Sequence, residues 1–222
     1  GLEEGAGWVS LLSTSTLTGI VSVAGIVLRM FSKKLQNIHL GNILLGFAIL
    51  MFGMSTMSGS VSALKENPQF IDMLTKFSNP IIGIIVGMLF TCVLQSASAS
   101  IGILQSLAVT GAVSFATALP LTMGIGIGAA LPVLLSSLGA TTAGKRTAVV
   151  YLVIDVLGAI ICGVVFYAAD AVVGFSFMGS SMTMVSIALM NTVYRLVIVI
   201  VLFPMIGLLE RLTEFIVREK PV

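Results

Sequence analysis

The charges of this chain are confined to short gaps between apolar runs. Those runs outlast the roughly 20 residues that an α-helix needs to cross a ~30 Å hydrocarbon core. Only 9% of the 222 residues are charged and the mean hydropathy is +1.14, whereas a soluble domain carries about a quarter of its residues as charges. The expected fold class is therefore an all-α membrane protein. Its raw material also narrows function. His39 is the single histidine, and Cys92 and Cys162 both lie inside apolar runs, so zinc chemistry and a histidine general base lack their residues. An enzyme, an organic cofactor and a nucleic-acid partner are not expected. The acidic start (Glu3, Glu4) lacks the basic n-region of a cleavable signal peptide.

The apolar pattern predicts about five transmembrane helices, at 8–28, 40–64, 115–138, 147–169 and 182–203. Trp8 suits an interfacial position. Lys65, Glu66, Asn67, Pro68, Asp72 and Lys76 read as a polar gap, and 206–220 as an interfacial helix mixing apolar residues with Glu210, Arg211, Glu214 and Arg218.

Residues 80–111 behave differently. Pro80–Leu94 is apolar but amounts to about 22 Å of helix, and a second short apolar piece runs from Ile101 to Val109. Two crossings need about 40 residues plus a turn, and only 32 are present. The economical reading is a re-entrant helical hairpin whose tip, Gln95-Ser96-Ala97-Ser98-Ala99-Ser100, reaches mid-membrane. Irregular backbone at that depth is tolerated where it is buried in protein or lines a wet cavity.

If the hairpin returns to the side it entered from, Arg29, Lys33, Lys34, Lys145, Arg146, Arg211, Arg218 and Lys220 share one side and Lys65 and Lys76 the other. The positive-inside rule makes the eight cytoplasmic. This predicts a multi-pass protein of the plasma membrane with a cytoplasmic C-terminus.

A helix starting near Ser98 presents unpaired N–H groups and the positive end of its dipole, an anion site in a low-dielectric setting. Ser96, Ser98 and Ser100 can donate to an anion, and Gln95, Ser96 and Ser98 can offer oxygens to Na⁺. Close packing of small residues is the competing reading. Gly124, Gly126 and Gly128 read either as a break in the 115–138 span whose carbonyls face the same cavity, or as a packing face. Asp155 and Arg195 are intramembrane charges, functional by default, or a pair that holds two helices together. The hydroxyl-rich patch 13–18 reads as helix packing.

The stretch 80–108, centred on Gln95-Ser96-Ala97-Ser98-Ala99-Ser100-Ile101-Gly102-Ile103-Leu104-Gln105, resembles the second-repeat Gln-Ser-Ser-Ser-Ala signature of sodium/phosphate cotransporters. Gly46–Met57 resembles the helix before that hairpin. Met123–Ala140 resembles the family's Gly-Ala-Asn-Ile-Gly-Thr segment and the Ser-x-Gly-Ala after it. The resemblance implies one half of an inverted-repeat transporter that symports Na⁺ and inorganic phosphate, or a similar small anion. It assigns substrate contact to Gln95, Ser96, Ser98, Ser100, Gly124, Gly126 and Gly128. Three positions depart from the pattern: Ala97 replaces a hydroxyl, Gly126 stands where Asn is usual, and Ala129 where Thr is usual. The chain has one Gln-Ser hairpin, so it is either part of a longer transporter or completes its site with a second copy or sister half. A non-transporting half with an assembly or regulatory role is the alternative, as is transport of another small solute.

Overall fold

A computed structural model describes residues 14–62 and 67–218. Among the described residues there is no strand, only an isolated bridge between Ser114 and Ser181. The chain divides into two compact units, Gly1–Ser60 and Val61–Val222.

The first unit holds α1 (Thr14–Phe31) and α2 (Leu35–Ser62). Trp8 and Ser13 lie outside the described residues. The two helices approach at Gly25 and Gly41, where a Cβ added to Gly41 would sit 2.8 Å from the Gly25 carbonyl oxygen. Small residues allow such backbone contact between membrane helices.

The second unit begins with α3 (Pro68–Lys76), in what the sequence presents as a polar gap. That expectation is corrected: Asn67 caps the helix by accepting from the Gln69 N–H at 3.0 Å, and Pro68 occupies the first turn, where its missing N–H costs nothing. Lys65 and Glu66 lie outside the described residues. The chain then bends by 106° into α4 (Pro80–Leu94). Asn79 caps α4 on the Ile81 and Ile82 N–H groups. After Gln95 and Ser96 the chain continues as α5 (Ala97–Ala108).

α6 (Phe115–Ser136) runs without interruption, with Pro120 and Pro132 inside it. The break expected at Gly124–Gly128 is absent, because these glycines close a helix contact instead of opening a cavity. α7 (Thr142–Val173) is 32 residues long and overhangs the expected 147–169 at both ends. It stops at Gly174, whose φ of +66° is the left-handed conformation of a helix C-cap. α8 (Met184–Leu202) leads through a single turn into α9 (Ile206–Ile216). α9 buries Leu209 and Thr213 and exposes Phe215 and Ile216. Its end is held by Arg146, which donates to Glu214 and to the Val217 carbonyl, both at 3.2 Å. Lys220 lies outside the described residues.

Hydrogen bonds gather the starts of α4, α6 and α8 at one end of this unit. The Ser78 and Thr117 hydroxyls are 3.1 Å apart, Phe115 N–H donates to the Ser180 carbonyl, and Met182 N–H donates to the Val113 carbonyl. The far end of α5 is there too, since Gln105 donates to the Met184 carbonyl at 2.8 Å and Ser181 to the Gly111 carbonyl at 3.1 Å. The hairpin α4–α5 thus enters and leaves at the same end.

Four helical stretches among the described residues are long and apolar enough to cross a membrane, and a fifth if the bent pair α3–α4 counts as one. Their outward faces are apolar, with Val93, Val172 and Ile200 largely exposed. Water does not tolerate apolar surface of that extent, whereas hydrocarbon does.

Candidate functional site

The hairpin tip is built by two caps. α4 ends at Gln95, whose φ of +54° is the only positive value among the described non-glycine residues. The left-handed conformation costs such a residue roughly 1–2 kcal/mol, and strain of this kind concentrates at functional sites. Ser96 is extended and caps α5, its hydroxyl accepting from the Ala99 N–H at 3.3 Å and lying 3.3 Å from the Ser98 hydroxyl. The Gln95 and Ser98 side chains are exposed and Ser96 is half-buried. The first N–H groups of α5 have no partner within the helix, so the tip presents donors, hydroxyls and an amide together.

Ser100 differs from its neighbours. It is fully buried, donates to the Ser96 carbonyl at 2.9 Å and accepts from the Thr91 hydroxyl at 3.0 Å. It braces the two legs of the hairpin and does not reach the exposed tip. Thr91, its partner, is not marked by the sequence pattern.

Depth follows from helix geometry. The 12 residues of α5 span about 18 Å at 1.5 Å each. Gly126 stands 12 residues beyond the Ser114 cap of α6, so it lies about 18 Å from the same end. The Cys92 Sγ lies 4.0 Å from the Gly128 carbonyl oxygen, which agrees with that level. The tip therefore stops partway along α6, beside Gly126–Gly128.

The three glycines of α6 have separate roles. Gly124 and Gly128 face α4, where an added Cβ would collide with the Ile84 carbonyl in the first case and lie 2.8 Å from the Thr91 Cβ in the second. Gly83 and Gly87 of α4 answer them, packed on Pro120 and on the Leu121 carbonyl. Paired Gly-x-x-x-Gly faces bring the two backbones into contact and leave no room for a ligand. Gly124 and Gly128, to which the resemblance assigns substrate contact, pack against α4. Gly126 faces the opposite way, and a Cβ there would sit 2.9 Å from the Arg195 Nη2 and 3.3 Å from the Asp155 Oδ1. Arg195 donates to Asp155, so the two intramembrane charges do pair. Asp155 is 1% exposed, while the Arg195 side chain is 37% exposed. One Asp155 oxygen, Oδ2, and the buried Thr122 hydroxyl have no hydrogen-bond partner among the described residues.

A cleft of about 640 Å³ between α6, α7 and α8 is lined by residues such as Leu119, Met123, Val165, Met190 and Val197. A smaller cavity of about 270 Å³ lies beside the hairpin, against Phe77, Phe90 and Leu104. Both are apolar and supply no groups to replace an anion's hydration, whose loss is costly. Polar groups are instead found at the hairpin tip and around Arg195, and near the α9 end of the unit, where Arg146 and Glu214 pair.

No solved structure matches this chain. The "Uncharacterized protein YqeW" of Bacillus subtilis (strain 168) is 26% identical over 185 residues, covering 82% of this chain and 59% of its own length. The "Putative inorganic phosphate export protein YjbB" of Escherichia coli (strain K12) is 21% identical over 209 residues, covering 93% of this chain and 38% of its own length. The chain thus spans less than two thirds of the length of either relative. Residues 60–192, more than half of the chain, match the Na⁺/Pi-cotransporter family. With its apolar helices, this multi-pass membrane protein belongs to that family.

Proposed function

We propose that this chain is one hairpin-bearing half of a secondary transporter that moves inorganic phosphate, or a similar small anion, together with Na⁺. The observation that carries the reading is the hairpin itself. Both legs end at one end of the helical unit, and the tip, with Gln95, Ser96 and Ser98, stops about 18 Å in. In a membrane that is a re-entrant hairpin. Discontinuous helices whose termini meet substrate and ion near the midplane are the recurring device of secondary transporters.

In this reading the first turn of α5 and the Ser98 hydroxyl receive the anion, while the Gln95 and Ser96 oxygens coordinate Na⁺. Each ion then stabilises the bound state of the other by charge compensation in one site. Family membership and the name of the Escherichia coli relative support phosphate as substrate. That name specifies export, so the direction of net flux belongs to the test. The exposed tip and the chain's partial coverage of its relatives support completion of the site by a second half or copy. Lys145, Arg146, Arg211 and Arg218 support a cytoplasmic C-terminus by the positive-inside rule.

Gln95→Ala and Ser98→Ala are each expected to abolish phosphate flux without lowering membrane insertion. Replacing Na⁺ by K⁺ is expected to suppress it. Normal flux in both variants would refute the tip as the site, and full flux in K⁺ would refute Na⁺ coupling.

A further inference from the structure

α6 and α8 run in the same direction from a shared end, where Ser114 and Ser181 form a bridge. Arg195 and Gly126 face one another along that pair. One turn nearer the shared end stand Asn191 on α8 and Thr122 on α6, each four residues before its neighbour and so on nearly the same helix face. Thr122 is 1% exposed and its hydroxyl has no hydrogen-bond partner among the described residues. Asn191 is half-buried, and no hydrogen bond of its side chain is formed among the described residues. Arg195 has five N–H donors; its one hydrogen bond among the described residues goes to Asp155. The remaining donors belong to a side chain that is 37% exposed.

A guanidinium at this depth cannot leave its donors facing hydrocarbon. Such charges face a water-filled cavity or a partner. Asp155 supplies one partner and aims the group beside Gly126, where the missing side chain leaves it room. Arg presents a planar fork suited to the oxygens of a phosphate. We propose that Arg195, with Asn191 and Thr122, forms a second oxyanion contact. It lies on the face of α6 away from α4, at the depth of the hairpin tip, and takes a phosphate-type anion. The proposal rests on the transport reading for its substrate, but its geometry belongs to α6, α7 and α8 alone.

The shared chemistry admits free phosphate or a lipid phosphate, and the experiment separates them. The wild-type protein, in a detergent without phosphate, is treated with phenylglyoxal, and modification is located by mass spectrometry. Arg146, already engaged by Glu214 and the Val217 carbonyl, is the internal reference. Modification at Arg195 is expected, slowed roughly tenfold at an anion concentration about ten times its Kd, because only the unbound fraction reacts, with Arg146 unchanged. Slowing by inorganic phosphate assigns the site to the free anion; slowing only by short-chain phosphatidylglycerol assigns it to lipid. No modification at Arg195, or modification that neither anion slows, overturns the proposal. Phosphate flux measured after reconstituting the same protein into proteoliposomes keeps the two readings apart. Flux without protection removes this contact only, and protection without flux removes only transport by this chain alone.

Discussion

Thr91 and Ser100 meet hydroxyl to hydroxyl across the hairpin at 3.0 Å, both fully buried. That contact, with the Ser100 bond to the Ser96 carbonyl, fixes the geometry of the tip from behind. The exposed hydroxyl of Ser98 has no such task.

Ser100→Ala leaves the Thr91 donor without its acceptor in a buried place, which costs about 1–3 kcal/mol. Thermal unfolding in detergent is expected to show that loss. Ser98→Ala is expected to leave the unfolding temperature unchanged while removing transport. Equal stability of the two variants would mean that the brace contributes nothing.

The crossing of α4 and α6 depends on hydrogen at four positions. Gly87→Leu places a side chain against the Leu121 carbonyl, backbone that cannot yield, so folded protein is expected to be lost from gel filtration. Gly102→Ala meets nothing within 4 Å. Its effect is expected to be neutral or favourable by up to about 1 kcal/mol, the helix preference for alanine. Comparable yields of both variants would contradict the packing described here.

Much of this was legible in the sequence, and the failures have physical causes. The paucity of charge marked a membrane protein, and the 32-residue limit on 80–111 marked two helices too short to cross. α3 was missed because its composition is polar, although Asn67 followed by Pro68 is a helix start. α6 read either as broken at Gly124–Gly128 or as a packing face, because the glycines alone do not separate the two. The deciding contact comes from Gly83 and Gly87, more than 30 residues away, and no local pattern reveals it. Ser100 looked equivalent to Ser98 because both belong to one serine repeat. Which of them faces inward depends on the other leg of the hairpin. The Asp155–Arg195 pair was legible because two opposite charges in apolar helices have few other options.

Removing Arg195 leaves the buried Asp155 carboxylate without its partner. Arg195→Gln is expected to destabilise the protein by about 3–5 kcal/mol. Combining it with Asp155→Asn is expected to restore most of that loss, measured as thermal unfolding in detergent. A double variant as unstable as the sum of its parts would show that the two side chains act separately.

The central claim is tested most directly by uptake of radiolabelled phosphate into proteoliposomes holding this chain, with and without an inward Na⁺ gradient, for wild type and Ser98→Ala. The account predicts uptake that the gradient drives and that Ser98→Ala removes. Gradient-independent uptake, or uptake undiminished by the substitution, would contradict it; none from protein shown to be folded and inserted would mean that a sister half is required.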